Sequence, residues 1–479
     1  GEESESNQQG APPLTALPEG VSYESLSNEK KAWWFKRNKE HQPSGADDSI
    51  DLKSYDAYYL AAPYLERLRD GRADMELLND KVRRVLKLNF RTAMNKNKPY
   101  GSLCSPEHYA AARKIANEGI VVLKNENNIL PLAKEGKILI VGENAIKKMT
   151  VGGGSSSLKA QYECTPIEGI KAAVGDKAEI IYQRGYLGDL LRTYNDVDTG
   201  IDLNDPRSEE QMIADAVEAA KDADVVIFIG GLNKARYQDS ESRDRLSMAL
   251  PYAQDKVVNA LTEVNDNVVV VIVSGNAVEM PWIDKVDGVV ETWFSGTQAG
   301  HALADIIFGD VNPSGKLPFT FPVKLEDNGA HALNAYHKDS LQVEYKEGIF
   351  VGYRWAEKHD IKPLFAFGHG LSYTTFEYGE AKCRKYGDGF KVSVDVTNTG
   401  KREGKEVVQL YISDEESTLE RPVKELKGFK KISLNPGETK NVTFEVEPDM
   451  LKYYDPSRGG WVLEPGTFTA HVGAASDDI

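Results

Sequence analysis

The chain has 479 residues, enough for about three domains of ordinary size. Its 58 Lys and Arg side chains against 74 Asp and Glu side chains give a net charge of −16, which argues against binding to nucleic acid or to an anionic membrane surface. The three cysteines, Cys104, Cys164 and Cys383, lie too far apart to indicate a disulfide framework or a thiolate zinc site, and no apolar run reaches the roughly 20 residues of a membrane span.

The amino-terminal part of the chain gives little sign of a complete domain. Residues 1–54 are rich in Glu, Ser, Asn, Gln and Pro, which predicts a polar leader or loop. Residues 55–104 contain two helical patterns, and in the second of them four apolar residues form one stripe: Leu78, Val82, Val85 and Leu86. Nothing earlier in the chain supplies a sheet for this stripe to pack on. We therefore expect association with a second chain, or low solubility in isolation.

A regular alternation of strands and helices begins near residue 105 and continues to about 325. The apolar strand candidates are KILIVG, AEIIYQRG, DVVIFIGG, NVVVVIVSG and GVVETWFSG, and helical patterns separate them near 166–174, 208–221, 252–264 and 298–308. Strands that are apolar on both faces indicate a mainly parallel sheet covered by helices on both sides. Ligands of such sheets bind at the carboxyl ends of the strands.

The last part of the chain has a different pattern of apolar and polar residues. A connector rich in Pro and aromatic residues occupies residues 326–379, and residues 380–479 contain short alternating strands separated by the turn signals NTG, NPGE and EPGT. Such a pattern is typical of an antiparallel β-sandwich. The predicted fold class is therefore α/β followed by all-β.

Two polar stretches lie next to predicted strands and are candidate sites. The stretch YQDSESRDRLSM follows DVVIFIGG and crowds acidic and basic residues, which is either a solvated loop or a carboxyl group presented to a substrate. The stretch VGGGSSSLK is rich in glycine but matches neither GxGxxG nor GxxxxGK[ST], which argues against a nucleotide role. Three histidines, His108, His301 and His369, have no metal-ligand spacing, and we expect them to be structural.

Seven stretches in series resemble one family. They are IANEGIVVLKNENNILPL, KILIVGENA, VGGGSSSLKAQYECTPIEGI, GGLNKARYQDSESRDRLSMALPYAQ, SGNAVEMPW, FGDVNPSGKLPFTFP and FAFGHGLSYTTFEY. In order and spacing they look like the second half of glycoside hydrolase family 3, of the β-glucosidase and β-xylosidase type. The resemblance runs from about residue 55 to the end of the chain.

This resemblance implies a three-part enzyme: a (β/α)8-type barrel, an α/β sandwich and a fibronectin type III-like domain. The family's aspartate nucleophile lies in the barrel, in a motif of the Ser-Asp-Trp kind, and this chain contains no such motif. Residues 55–104 then correspond to the terminal helices of the barrel and a linker. The implied function is retaining hydrolysis that releases terminal non-reducing β-D-glucosyl residues, with this chain supplying the acid/base but not the nucleophile.

The resemblance also assigns roles to single residues. Glu241 stands where the family has its general acid/base, within a Glu-Gly-x-Asp-Arg-like stretch, although Ser242 replaces the usual glycine. Asp239 is the reserve candidate. Because the glycine-rich loop borders the sugar pocket in the family, Ser155 or Ser156 either contacts a sugar hydroxyl or serves only as part of the loop structure. Asp244 and Arg245 are expected to organise the loop.

The remaining expectations concern partners and rival functions. We expect no metal or organic cofactor, a small β-linked oligosaccharide or glucoside as substrate, a barrel-bearing partner chain or a homo-oligomer, and a periplasmic or secreted location. The alternatives are a β-xylosidase of the same family and a non-catalytic carbohydrate-binding or scaffold protein. A doubly wound nucleotide-dependent enzyme is a further rival.

Overall fold

The computed structural model describes residues 62–98, 101–150, 153–155, 158–188, 193–194, 197–198, 204–235, 237–241, 244–336 and 342–479. The chain divides into two compact units, Gly1–Leu103 and Cys104–Ile479. The polar leader predicted for residues 1–54 lies outside the described residues. No helix in the described part of the chain has the length and apolar character needed to cross a bilayer.

The first unit contains two described helices, α1 (Ala62–Arg69) and α2 (Met75–Arg91). The Asp74 side chain caps the start of α2 by accepting a hydrogen bond from the Glu76 N–H at 2.8 Å, which satisfies one of the unpaired donors of the first turn. None of the residues of α2 is buried. In the predicted stripe, Leu78 is half-buried, whereas Val82, Val85 and Leu86 are 47%, 60% and 47% exposed.

The second unit begins with an α/β region whose elements alternate as the sequence pattern predicts. Its longer helices are α3 (Pro106–Gly119), α4 (Pro166–Val174), α5 (Glu209–Lys221), α6 (Gln254–Thr262) and α7 (Ala299–Ile307). Its strands are β1 (Val121–Asn125), β2 (Gly136–Val141), β3 (Ala178–Gln183), β4 (Thr193–Tyr194), β5 (Val197–Asp198), β6 (Val225–Gly231), β7 (Val268–Val273) and β8 (Gly288–Glu291).

Six of these strands form one sheet in the order β1-β8-β7-β6-β2-β3. All neighbours are parallel except β1, which pairs antiparallel with β8 at one edge. Helices α5 and α6 pack on one face of the sheet, and α4 and α7 pack on the other. Because both faces are covered, β7 consists of six fully buried apolar residues, VVVVIV, with no polar alternation.

An all-β region follows two short helices, α8 (Gly329–Ala332) and α9 (Tyr353–Lys358). Its elements are β9 (Phe376–Tyr378), β10 (Lys382–Tyr386), β11 (Gly389–Asn398), β12 (Gly404–Asp414), β13 (Glu425–Leu434), β14 (Thr439–Val446), α10 (Pro448–Leu451), β15 (Tyr453–Asp455), β16 (Gly460–Val462) and β17 (Phe468–Gly473). One sheet has the order β10-β11-β14 with β9 also on β11, and the other has the order β13-β12-β17.

The core of this all-β region comes from alternate residues of its long strands. Val392, Val394 and Val396 on β11 are buried together with Val408, Leu410 and Ile412 on β12. On β11 the side chains between these lie outside the core, as a two-sheet sandwich requires. On β12 the alternate residues Gln409 and Tyr411 are buried as well, against Gly368 and Tyr353. A mainly parallel α/β sandwich followed by antiparallel sheets is the fold class that the sequence predicts.

Candidate active site

The candidate site lies at the carboxyl edge of the large sheet. Strands β2, β6 and β7 run parallel, so the loops that follow them meet at this edge. A cavity of about 790 Å³ opens there. The lining residues that matter below are Ser155, Lys234, Asp239, Glu241, Asp244, Arg245, Gly275, Asn276, Phe294 and Tyr336.

The loop after β6 is fixed to the loop after β7 by Asp239. One carboxylate oxygen accepts a hydrogen bond from the Gly275 N–H at 2.7 Å, and the other accepts from the Asn276 side-chain amide at 2.6 Å. Burial raises the pKa of Asp239, while the Gly275 hydrogen bond and the charge of Lys234 act in the opposite direction. Both carboxylate oxygens of Asp239, the second candidate for the acid/base, therefore hold the two loops together.

The loop after β2 is anchored by two buried glutamates. Glu143, two residues after the end of β2, forms ion pairs with Lys147 at 2.7 Å and with Arg184 at 2.6 Å. Further along, Glu163 accepts hydrogen bonds from the backbone N–H groups of Met149 and Thr150 at 2.5 and 3.2 Å. These anchors fix the loop on both sides of the glycine-rich turn.

Glu241 rests on that glycine-rich turn and lines the cavity. Its backbone N–H donates to the Gly153 carbonyl at 2.5 Å, and its Oε2 accepts from the Ser155 N–H at 2.6 Å. Gly154 has a φ of +123°, and a Cβ at this position would overlap the Glu241 side chain. The turn needs glycine there because the carboxyl group of Glu241 packs directly on its backbone.

Of the two candidate serines, the structure describes Ser155. Ser155 is exposed, lines the cavity and touches Glu241 through its backbone N–H. Ser156 lies outside the described residues.

Arg245 holds the loop through hydrogen bonds to amide and carbonyl oxygens. Its guanidinium donates to the Asn276 side-chain oxygen, to the Ala277 carbonyl at 2.7 Å and to the Met248 carbonyl at 2.8 Å. Asp244 instead accepts a hydrogen bond from the Tyr336 hydroxyl, which ties the loop to the segment after α8.

A cation and an aromatic ring form another part of the wall. The Lys234 ammonium lies 3.7 Å from the ring centre of Phe294, in cation–π geometry. Burial lowers the pKa of Lys234, and the nearby Asp239 acts against that shift. Neither residue is among the candidates from the sequence, because Phe294 falls inside the predicted strand GVVETWFSG, where an aromatic residue is ordinary.

A buried carboxyl group behind the cavity was also missed. Glu291, the last residue of β8, has no exposed surface and bonds to Ser274 and to the Trp293 N–H. The sequence offered one sign of it, an acidic residue within the predicted strand GVVETWFSG, which the structure ends at Glu291.

His369, one of the histidines expected to be structural, contacts the first strand of the second unit. In the described residues, no group of three His, Cys, Asp or Glu side chains could hold a metal ion. Burial lowers the pKa of His369, whose Nε2 lies 2.8 Å from the Leu123 carbonyl. That contact makes His369 part of the packing between the connector and β1.

Comparisons with known proteins agree with this architecture. Residues 120–373 match the glycosyl hydrolase family 3 C-terminal domain, and residues 406–476 match a fibronectin type III-like domain. Beta-glucosidase BoGH3A from Bacteroides ovatus is 49% identical over 439 residues, which cover 89% of this chain and 58% of that protein. The Periplasmic beta-glucosidase of Salmonella typhimurium is 35% identical over 453 residues, which cover 89% of this chain and 58% of that protein.

A solved structure has a similar fold. The family 3 beta-glucosidase from Bifidobacterium adolescentis superposes with a TM-score of 0.77 at 32% identity, covering 87% of this chain and 58% of that one. The chain therefore spans little more than half the length of these relatives.

Proposed function

Since this chain belongs to glycosyl hydrolase family 3, we propose that it supplies the proton-donating part of a retaining β-glucosidase. The observation that carries the proposal is the position of Glu241, which lines a cavity of about 790 Å³ at the carboxyl edge of a parallel sheet. A carboxyl group held there can protonate the oxygen of a departing sugar.

In this proposal Glu241 is the general acid/base and the nucleophile comes from elsewhere. Retaining hydrolysis needs two carboxyl groups about 5 to 5.5 Å apart, one to attack the anomeric carbon and one to protonate the leaving oxygen. The family resemblance puts the attacking aspartate in a barrel domain with a Ser-Asp-Trp type motif, which this sequence lacks. Glu241 then protonates the leaving group, and afterwards takes a proton from the water that releases the sugar.

The substrate is proposed to be a small glucoside with a terminal non-reducing β-D-glucosyl residue. The relatives' names support glucose, since both carry the name beta-glucosidase. Ser155, and Ser156 beside it in sequence, are proposed to contact a sugar hydroxyl. The edge of the pocket offers further polar groups, among them Asp244 and Asn276.

The partner is proposed to be a barrel-bearing chain. Val82, Val85 and Leu86 expose apolar surface along α2, and apolar faces of this kind mark interaction surfaces. A periplasmic or secreted location is proposed from the likeness to the Salmonella typhimurium protein, whose name includes the word periplasmic.

The test combines this chain with a second chain that carries the remainder of a family 3 enzyme. We expect no cleavage of an aryl β-glucoside by the 479-residue chain alone, and cleavage when both chains are present. Glu241→Gln should remove most of the restored activity, whereas Glu263→Gln, an exposed Glu at the end of α6, should leave it intact. Equal restored activity for the two variants would overturn the role of Glu241.

Titration of the chain alone separates the rival functions. A glucose-type inhibitor that binds without any cleavage in the combined system would favour a carbohydrate-binding protein. Binding of ATP or NAD in place of the inhibitor would favour a nucleotide-dependent enzyme.

A further inference from the structure

Glu291 is a fully buried carboxyl group for which the proposed reaction has no use. It ends β8, between the antiparallel edge strand β1 and the central strand β7. Its Oε1 accepts a hydrogen bond from the Trp293 N–H at 2.8 Å, and its Oε2 lies 2.9 Å from the Ser274 hydroxyl oxygen. An isolated carboxylate at such a position is costly, because burial removes its hydration.

Ser274 has two acceptors within reach and one hydrogen to donate. A serine hydroxyl has a single hydrogen to donate. The Ser274 oxygen is 2.7 Å from the Asn276 carbonyl, which can only accept, and 2.9 Å from Glu291 Oε2. If the Ser274 hydrogen goes to Asn276, the hydrogen between Ser274 and Glu291 must belong to Glu291.

The electrostatic surroundings agree with a proton on Glu291. No ion pair to Glu291 occurs among the residues that the structure describes. Burial raises the pKa of Glu291 to about 8, and the charge of Asp239 adds to the shift, while hydrogen bonds from the Trp293 N–H and from Ser274 oppose it. The positive charges of Lys234 and Arg245 act on Asp239.

The two oxygens of Glu291 join two loops that line the cavity. Glu291 bonds to the backbone of Trp293, whose φ of +57° is left-handed. The next residue, Phe294, lines the wall of the cavity. Through Ser274 it holds the turn whose Gly275 and Asn276 bind Asp239. Asp239 lies two residues from Glu241.

We propose that Glu291 is a neutral carboxylic acid whose Oε2–H donates to Ser274, and that this hydrogen-bond chain is the positioning element for the cavity loops. Glu291 acts through Ser274 and Trp293 and does not touch the cavity itself. Its importance for catalysis rests on the proposed function, whereas its protonation and its hydrogen bonds are properties of the fold.

The first test measures stability against pH in the full chain, with Glu291→Gln as the variant. The folded state keeps a proton that the unfolded state loses above the ordinary glutamate pKa of 4.5. Stability from this group is therefore complete below pH 4.5 and is lost as the pH rises towards 8. Between these values the folding equilibrium constant of the wild type should fall relative to Glu291→Gln by roughly tenfold per pH unit.

The control for this test is Glu263→Gln, which changes an exposed glutamate. Its stability should follow the wild type at every pH. Parallel curves for the wild type and Glu291→Gln would overturn the proposal.

The second test separates hydrogen bonding from packing. Glutamine can both donate to Ser274 and accept from Trp293, whereas leucine can do neither. Glu291→Gln should therefore remain more stable than Glu291→Leu at pH 8, and equal stability would overturn the proposal. If neither variant folds, infrared spectroscopy of the wild type at pH 6.5 provides a second measurement. It should show the C=O band of a buried carboxylic acid, and this band should shift in Ser274→Ala. A band that does not respond to Ser274→Ala would also overturn the proposal.

Activity is a separate readout. In the combined two-chain enzyme, the alkaline decline of kcat/KM in the wild type should be weaker in Glu291→Gln. If the stability and infrared results hold and no cleavage is found, the proposed function fails and the protonation of Glu291 stands. If cleavage is found with identical pH profiles for both proteins, the positioning role fails.

Discussion

The backbone N–H of Ser155 donates a 2.6 Å hydrogen bond to the Oε2 of Glu241. This bond joins the loop after β2 to the loop after β6, which are 86 residues apart in sequence. Because the donor belongs to the backbone, the contact persists whatever side chain stands at position 155. The turn therefore aims the carboxyl group of Glu241 independently of any contact that the Ser155 hydroxyl makes with a sugar.

Glu241→Gln should slow cleavage more for substrates with poor leaving groups than for activated aryl glucosides. Loss of a general acid typically costs roughly 100- to 10,000-fold, and an activated leaving group needs little protonation. The measurement is kcat/KM in the combined two-chain enzyme with an alkyl glucoside and with a nitrophenyl glucoside. An equal loss on both substrates would remove Glu241 from the acid role.

Gly154→Ala should displace Glu241. The new methyl group would overlap the Glu241 side chain, and the φ of +123° is unfavourable for alanine. Gly175→Ala is the matched control, since Gly175 also has a positive φ, +55°, but open space around its Cβ position. Both variants should lose about 1 to 2 kcal/mol of stability. In the combined two-chain enzyme, only Gly154→Ala should lose glucosidase activity. The same activity in both variants would contradict this placement.

Ser155→Ala tests the proposed sugar contact by itself. The variant retains the N–H that holds Glu241 but lacks the hydroxyl. A neutral hydrogen bond is worth about 0.5 to 1.5 kcal/mol, so KM should rise by roughly 2- to 10-fold while kcat changes little. A fall in kcat with KM unchanged would instead assign Ser155 to the support of Glu241.

The stability of the second unit should fall in acid partly because of His369. Burial lowers the pKa of His369 below its ordinary value of 6.5, so the folded state prefers the neutral ring. Its contribution is complete above pH 6.5 and is lost as the pH falls from 6.5 through the lowered pKa of the folded state. Denaturation curves at pH 7.5 and 5.5 should differ less for His369→Gln than for the wild type. The exposed His108 supplies the control, since His108→Gln should follow the wild type.

The exposed stripe on α2 should make the isolated chain associate. Val85 is 60% exposed, and apolar surface of this kind favours contact with a partner. Light scattering over a range of concentrations should show larger species for the wild type than for Val85→Gln. Lys87→Gln, an exposed change on the same helix, should behave as the wild type. A monodisperse monomer for all three proteins would contradict the prediction.

The fold could be predicted because burial imposes a pattern on the sequence. Strand β7 is buried on both faces, so its residues form a continuous apolar run that stands out between polar helices. Strand β1 was not predicted as a strand of this sheet. Its partner β8 lies more than 160 residues later, and no local pattern encodes an antiparallel pairing at such a distance.

The candidate site could be predicted only in part, because its contacts join distant loops. The resemblance to a family drew attention to Glu241, but the hydrogen bonds of Asp239 to Gly275 and Asn276 leave no periodic trace. The contact of Ser155 uses its backbone N–H, which every residue except proline has, so the residue type gives no sign of it. Glu291 had a local signal, a carboxyl residue at the end of a buried strand, but its partner Ser274 lies on another strand's loop.

The loops that fix Glu241 all belong to the second unit of the chain. Gly153 and Ser155, in the loop after β2, bond to Glu241, and Gly275 and Asn276, in the loop after β7, bond to Asp239 in the same loop as Glu241. Under the proposed function, the second unit is a module that can be exchanged between family members. Chimaeric glycosidases built in this way should keep the loops that hold Glu241.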